Sequence, residues 1–185
     1  DLDATRPPVP QGEGGYSVKS EKGQASYYYS QPFYTVRGSI TVEGRDVAVT
    51  GQAWFDHEWS SQPLTAGQLG WDWFAFHLET GEKLMGYHFR EAGKDYTAAT
   101  WIAADGTPEP QAPGALRATP LAVTDIGGRK VATRWRVELP AKKLDVTTTA
   151  LNPESWNDTQ ISYWEGPVRI EGSHAGQGYV ELTGY

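Results

Sequence analysis

From residue 26 onward the chain is a succession of short β-branched or aromatic runs separated by tight-turn pairs, and no stretch of any length carries a helical apolar period. Runs such as "FYTVRGSITVEG", "RDVAVTGQAWF", "WDWFAFHLE" and "KVATRWRVEL" are punctuated by Glu43-Gly44, Thr80-Gly81, Asp105-Gly106 and Gly127-Gly128. Gly-containing pairs between alternating runs are hairpin signals. About ten strands at this spacing predict an all-β, antiparallel barrel or sandwich. Residues 1–25, which open with Pro7, Pro8, Pro10 and several glycines, read as an extended linker.

Composition narrows the function classes. Aromatics make up 12% of the chain, with 8 Trp and 10 Tyr against 5 Phe, so most rings carry a polar edge suited to a wet cavity or an interface. The net charge is -7 and no basic run exceeds the pair Lys142-Lys143, which argues against nucleic acid as a partner. Cysteine is absent, which removes disulfides, thiolate metal sites and cysteine nucleophiles. No apolar stretch approaches the roughly 20 residues of a spanning helix. There is no glycine-rich phosphate loop ahead of a helix and no G-x-S-x-G elbow. His57, His77 and His88 lie on nearby strands without ligand spacing, so neither a metal nor an organic cofactor is expected.

A short internal similarity bears on organisation. "SQPFYTVRGS" at 30–39 resembles "EGPVRIEGS" at 165–173, with Pro32 matching Pro167, and "GQAWFDH" at 51–57 lines up with "GQGYVEL" at 176–182. Each copy sets a proline-led strand before a Gly-Gln strand that carries an aromatic and then an acid. Read as the closing hairpins of two barrel copies, these divide the chain into residues 26–66, the end of a first barrel, and residues 67–185, a whole second barrel.

The segment "GQAWFDHEWSS" holds the first candidate site, Asp56 and His57 between Trp54 and Trp59. Strand alternation puts Val47, Val49, Ala53, Phe55 and His57 on one face and Gln52, Trp54 and Asp56 on the other. The first set is apolar, so His57 is expected to face the core and Asp56 to face away. A bulge near Phe55 or Asp56 would be needed to bring the two together. The alternative is a strand end with a satisfied histidine and an exposed acid. A two-residue Thr80-Gly81 loop would place Phe74, Phe76, Met85, Tyr87 and Phe89 on a core face. Trp71, Trp73, His77, His88 and Arg90 would then share a face suited to a ligand cavity or a barrel–barrel contact. "YWEGP" adds Trp164 beside Glu165, either a second acid with its aromatic neighbour or a packed strand start.

Taken together, "YYYSQPFYTVRGSI", "GQAWFDHEWSSQ", "GWDWFAFHLETGEKLMGYHFR", "YWEGPVRIEG" and "GYVELTGY" resemble the lipocalin-like family of carotenoid 1,2-hydratase (hydroxyneurosporene synthase) and its secreted AttH-type relatives. The resemblance covers most of residues 6–185 and implies two consecutive lipocalin-like barrels, the first incomplete in this chain. It implies acid-catalysed hydration or isomerisation of an apolar, unsaturated, terpenoid-like molecule. Asp56 would be the acid, with His57 tuning it or positioning water. Trp54, Trp59, Trp71 and Trp73 would shield a carbocation, with His77, Tyr87, His88, Arg90 and Trp164 completing the substrate surface. The alternative is a non-catalytic periplasmic module that binds or carries lipid. Periplasmic or secreted location, peripheral membrane association of a full-length member, and completion of the first barrel by further strands or a second chain belong to the same expectation.

Overall fold

The computed structural model describes residues 1–61 and 67–185; the last five residues of the expected first-barrel segment, 62–66, lie outside the described residues. Strands β1 (Leu2–Ala4), β2 (Val9–Pro10) and β3 (Tyr16–Val18) are short, whereas β4 (Ala25–Val42) and β5 (Arg45–Trp59) form a long hairpin. Then come β6 (Gln68–Leu78), β7 (Lys83–Glu91), β8 (Tyr96–Ile102), β9 (Pro108–Pro110) and β10 (Arg117–Ile126). The chain finishes with β11 (Arg129–Leu139), β12 (Leu144–Ala150), β13 (Trp156–Asn157), β14 (Tyr163–Gly172) and β15 (Gly176–Thr183). Every pairing is antiparallel, as the hairpin punctuation predicts.

Two sheets result. In the smaller, β4 carries β1, β2, β3 and β5; in the larger, the order β10-β11-β12-β14-β15-β6-β7-β8-β9 curls into a lipocalin-like half-barrel, with β13 added on β14. Residues 1–25 are therefore extended, but they are not a free linker: β1, β2 and β3 pair along β4. Extended backbone beside a long strand satisfies its own polar groups by joining the ladder.

The inside of the large sheet is packed solid. Phe74, Phe76, Leu84, Trp135, Trp164 and Leu182 belong to one cluster and are at most 2% exposed. Removing one such large side chain from water is worth roughly 1.5–3 kcal/mol, and Trp135 also satisfies its indole by donating to Ala132 O at 2.8 Å. The opposite face of β6 and β7 meets the small sheet, where Tyr28, Met85, Tyr87 and Phe89 are buried with Trp54, Trp71 and Trp73 against them.

Which side chains reach which face depends on turn length. The β4–β5 tip is a two-residue turn, with Val42 opposite Arg45 and with Glu43 and Gly44 both at positive φ, 50° and 76°. That is the left-handed pair a tight hairpin needs. The β6–β7 tip differs. His77 faces Lys83, and Leu78 N–H donates to Glu82 O, so three residues, 79–81, form the turn rather than the expected Thr80-Gly81 pair. One extra turn residue reverses the faces of the second strand. Tyr87 and Phe89 consequently join Trp71, Trp73 and His77 on the side facing the small sheet, while His88 turns inward opposite Asp72.

The faces of β5 are also the reverse of the expected ones. Trp54 and Asp56 point toward the large sheet, and His57 points away, stacked on Tyr29 (centroids 5.3 Å apart, 13° between planes) and edge-on to Trp59. The apolar set that predicted a core face is largely outside: Val47 and Phe55 are each 46% exposed and Trp59 is 50%. The irregularity in this hairpin lies in the partner strand, between Gln31 and Tyr34 of β4 and opposite Trp54, so β5 keeps its alternation through Asp56 and His57. The two side chains do not converge.

Candidate functional site

Between the two sheets lies a cavity of about 1410 Å³, large enough for a sizeable organic ligand. Asp56 on β5 lines it. Its Oδ1 accepts from Ser30 Oγ at 2.5 Å and from Trp54 Nε1 at 2.9 Å, and the Tyr28 hydroxyl adds a third hydrogen bond. Two of these donors are themselves held in place. Ser30 Oγ accepts from Gln11 Nε2 at 2.8 Å, and Tyr28 Oη accepts from Trp73 Nε1 at 3.1 Å. Register explains the first contact, because Ser30 lies directly opposite Asp56 in the β4–β5 ladder. Burial pushes the Asp56 pKa above its ordinary value, the three hydrogen bonds oppose the rise, and the charge of Glu58 adds to it. Burial likewise drives the Tyr28 hydroxyl well up, reinforced by Asp56 and Glu58, so it remains a donor.

The rest of the wall is amphipathic. Lys19, just after β3, pairs with Glu58 Oε1 at 2.7 Å and sits over the Tyr87 ring at 4.1 Å and the Tyr28 ring at 4.9 Å. Burial lowers its pKa against the pull of Glu58. His77 is edge-on to Trp54, and burial with help from Lys83 lowers its pKa to about 4, which leaves the imidazole neutral. From β15, Glu181 accepts from Trp71 Nε1 at 2.7 Å. Burial raises the Glu181 pKa; the Trp71 bond opposes this, and the charges of Glu165, Asp56 and Glu58 add to it.

Of the residues singled out from sequence, Trp54, Asp56, Trp71, Trp73, His77, Tyr87 and Glu165 line this cavity. The others sit elsewhere. His57 and Trp59 are on the outer face of β5 with Tyr29. His88 bridges Asp72 (2.9 Å) and Asp95 (2.8 Å), and Arg90 lies over the Tyr185 ring near Asp72. Trp164 is fully buried in the core of the large sheet and donates to Pro153 O at 2.8 Å. Tyr28, Ser30, Lys19, Glu58 and Glu181 join the site without having been singled out. Only Glu181 left a trace in the sequence, as the repeat counterpart of Asp56. Among the described residues no group of three or more His, Asp or Glu stands in metal-ligand geometry.

A half-barrel with a filled interior, a second sheet laid on its outer side and an acid-bearing, tryptophan-lined cavity between them defines a lipocalin-like protein whose candidate site lies between sheets. The chain belongs to the AttH-like family, whose model matches residues 1–185. Its fold is similar to the crystal structure of an AttH protein from Nitrosomonas europaea (34% identity, TM-score 0.91), covering 100% of this chain and 60% of that one. It is also similar to kievitone hydratase from Nectria haematococca (20% identity, TM-score 0.82), covering 98% of this chain and 59% of that one, a likeness of fold. The chain thus spans about 60% of the length of the solved structures it matches. No curated protein matches the sequence significantly.

Proposed function

We propose that the cavity between the sheets binds an apolar, unsaturated, terpenoid-like small molecule and that its carboxyl groups, Asp56 among them, drive hydration or isomerisation of a carbon–carbon double bond by proton transfer. The observation that carries this reading is Asp56 itself, a largely buried carboxyl group on the wall of a roomy, tryptophan-lined cavity and fixed by three hydrogen bonds. Burial shifts its proton equilibrium upward from that of an exposed carboxylate, the direction in which carboxyl groups are tuned for proton transfer. The faces of Trp54, Trp71 and Trp73 suit the cationic carbon that protonation creates. The hydratase among the structural neighbours supports the reaction class. Strands of a preceding barrel or a second chain would cover the exposed rings of Tyr27, Phe55 and Trp59 on the outer face of β4 and β5.

The test uses farnesol as an acyclic isoprenoid probe, with binding followed by tryptophan quenching and product by mass spectrometry. The native chain is expected to add one water to the probe. Asp56→Asn is expected to bind it normally and to lose turnover by about 10²–10⁴-fold, the usual worth of a positioned proton-transfer group. Binding without any turnover by the native chain would favour a carrier module instead, and unchanged turnover in Asp56→Asn would remove Asp56 from the chemistry.

A further inference from the structure

The two closing hairpins bring their acids to one cavity from opposite walls. In the sequence repeat Ser30 corresponds to Glu165 and Asp56 to Glu181. The ladders preserve this correspondence: Ser30 lies directly opposite Asp56, and Glu165 lies directly opposite Glu181. Each acid also takes an indole hydrogen bond, Asp56 from Trp54 and Glu181 from Trp71. The surroundings then diverge. Asp56 has a hydroxyl across the ladder, donating at 2.5 Å, and a second from Tyr28. Glu181 has another carboxyl group across the ladder, with one indole as its hydrogen-bond donor. Like charges directly opposite are unfavourable in a sheet, whereas donors favour an ionised carboxylate.

We propose that Glu181 is the proton-holding carboxyl of this cavity and Asp56 its ionised partner, so that the proton delivered to the substrate comes from Glu181. This rests on the hydration reading above and assigns the roles within it. Glu181 gives its proton to one alkene carbon, and the π pair forms the new C–H bond, leaving a cation at the other carbon. A water lone pair forms the C–O bond there, and the proton released from the oxonium passes to the Asp56 carboxylate. Proton exchange with solvent returns Glu181 to the acid and Asp56 to the carboxylate. Two carboxyl groups in different surroundings divide acid and base roles in this way.

The groups that face Glu181 around the cavity are Asp56 and Glu58 from β5, Glu165 from β14, His77 from β6, Tyr28 from β4, Tyr87 from β7 and Lys19 after β3. His77 is neutral and Lys19 is already paired with Glu58, so among the described residues lining the cavity no cation offsets the charge at Glu181.

The test is an infrared pH titration of the carboxyl C=O band in the ligand-free chain, with folding of each variant checked by circular dichroism. The highest-titrating carboxyl transition is expected to be lost in Glu181→Gln and kept, at lower pH, in Asp56→Asn and Glu165→Gln, each of which removes a repelling charge. Trp71→Phe, which removes the donor, is expected to move the same transition upward. Loss of that transition in Asp56→Asn or Glu165→Gln, with its persistence in Glu181→Gln, would overturn the assignment. The outcome is independent of the farnesol assay: absent turnover refutes the hydration reading, and the titration separately decides which carboxyl holds the proton.

Discussion

Replacing Ser30 with alanine tests how Asp56 is held. Ser30 is fully buried, donates to Asp56 Oδ1 at 2.5 Å and accepts from Gln11 Nε2 at 2.8 Å. A hydrogen bond to a charged group is worth about 1.5–3 kcal/mol, and leaving a buried amide unsatisfied costs about 1–3 kcal/mol. The Gln11 side chain is also fully buried, and its Oε1 has no partner among the described residues. A combined loss of about 3 kcal/mol follows, equivalent to a fall of roughly 6–12 °C in Tm for a chain of this size. The pH dependence identifies the mechanism. The folded pKa of Asp56 lies above its unfolded value, so its contribution is complete below the unfolded value and is lost as pH rises through the folded one. Removing a donor to the carboxylate raises the folded value further, so Ser30→Ala should be most damaging at about pH 8 and less so, by about 1 kcal/mol or more, at about pH 4. Urea unfolding of both proteins at the two pH values measures this. Equal penalties at both pH values, or a penalty under about 0.5 kcal/mol at about pH 8, would show that Ser30 does not hold an ionised Asp56.

Two further perturbations address the frame around the site. For His88, burial opposes its charge, but the hydrogen bonds and charges of Asp72 and Asp95 outweigh it and raise its pKa. Its stabilisation is therefore complete below the unfolded value of about 6.5 and fades as pH rises through the raised one. His88→Gln should lose about 1–3 kcal/mol near pH 5.5 and less near pH 9 in urea unfolding, reflecting charged hydrogen bonds to two carboxylates; a pH-independent loss would contradict this. Deleting Thr80 leaves a two-residue tip and forces β7 to turn its other face to the core. Near-ultraviolet circular dichroism and cooperative unfolding should both be lost, and a native-like variant would show that turn length does not set the register.

The fold class was legible because it rests on local chemistry. β-branched and aromatic runs, glycine-bearing turns and the missing helical period all act within a few residues of one another. Gly127-Gly128 shows this directly, being a two-residue turn with both φ values positive, 58° and 87°. The same rule failed at Thr80-Gly81, where an odd turn reversed β7 and sent His88 and Tyr87 to faces opposite those expected.

Local pattern also misread β5. Apolar residues mark a face that wants cover, but they do not say which neighbour supplies it. In this chain the small sheet turns Tyr28, Ser30, Trp54 and Asp56 toward the half-barrel and leaves Phe55, His57 and Trp59 outside. The sequence by itself determined an antiparallel β protein of the AttH-like kind, with Asp56 and its tryptophans as the segment to watch. Only the tertiary structure decided that the cavity lies between the sheets, that His57 is not part of it, and that Glu181 is. Those outcomes depend on long-range packing and on the parity of a turn, and a difference of one residue reverses which side chains meet.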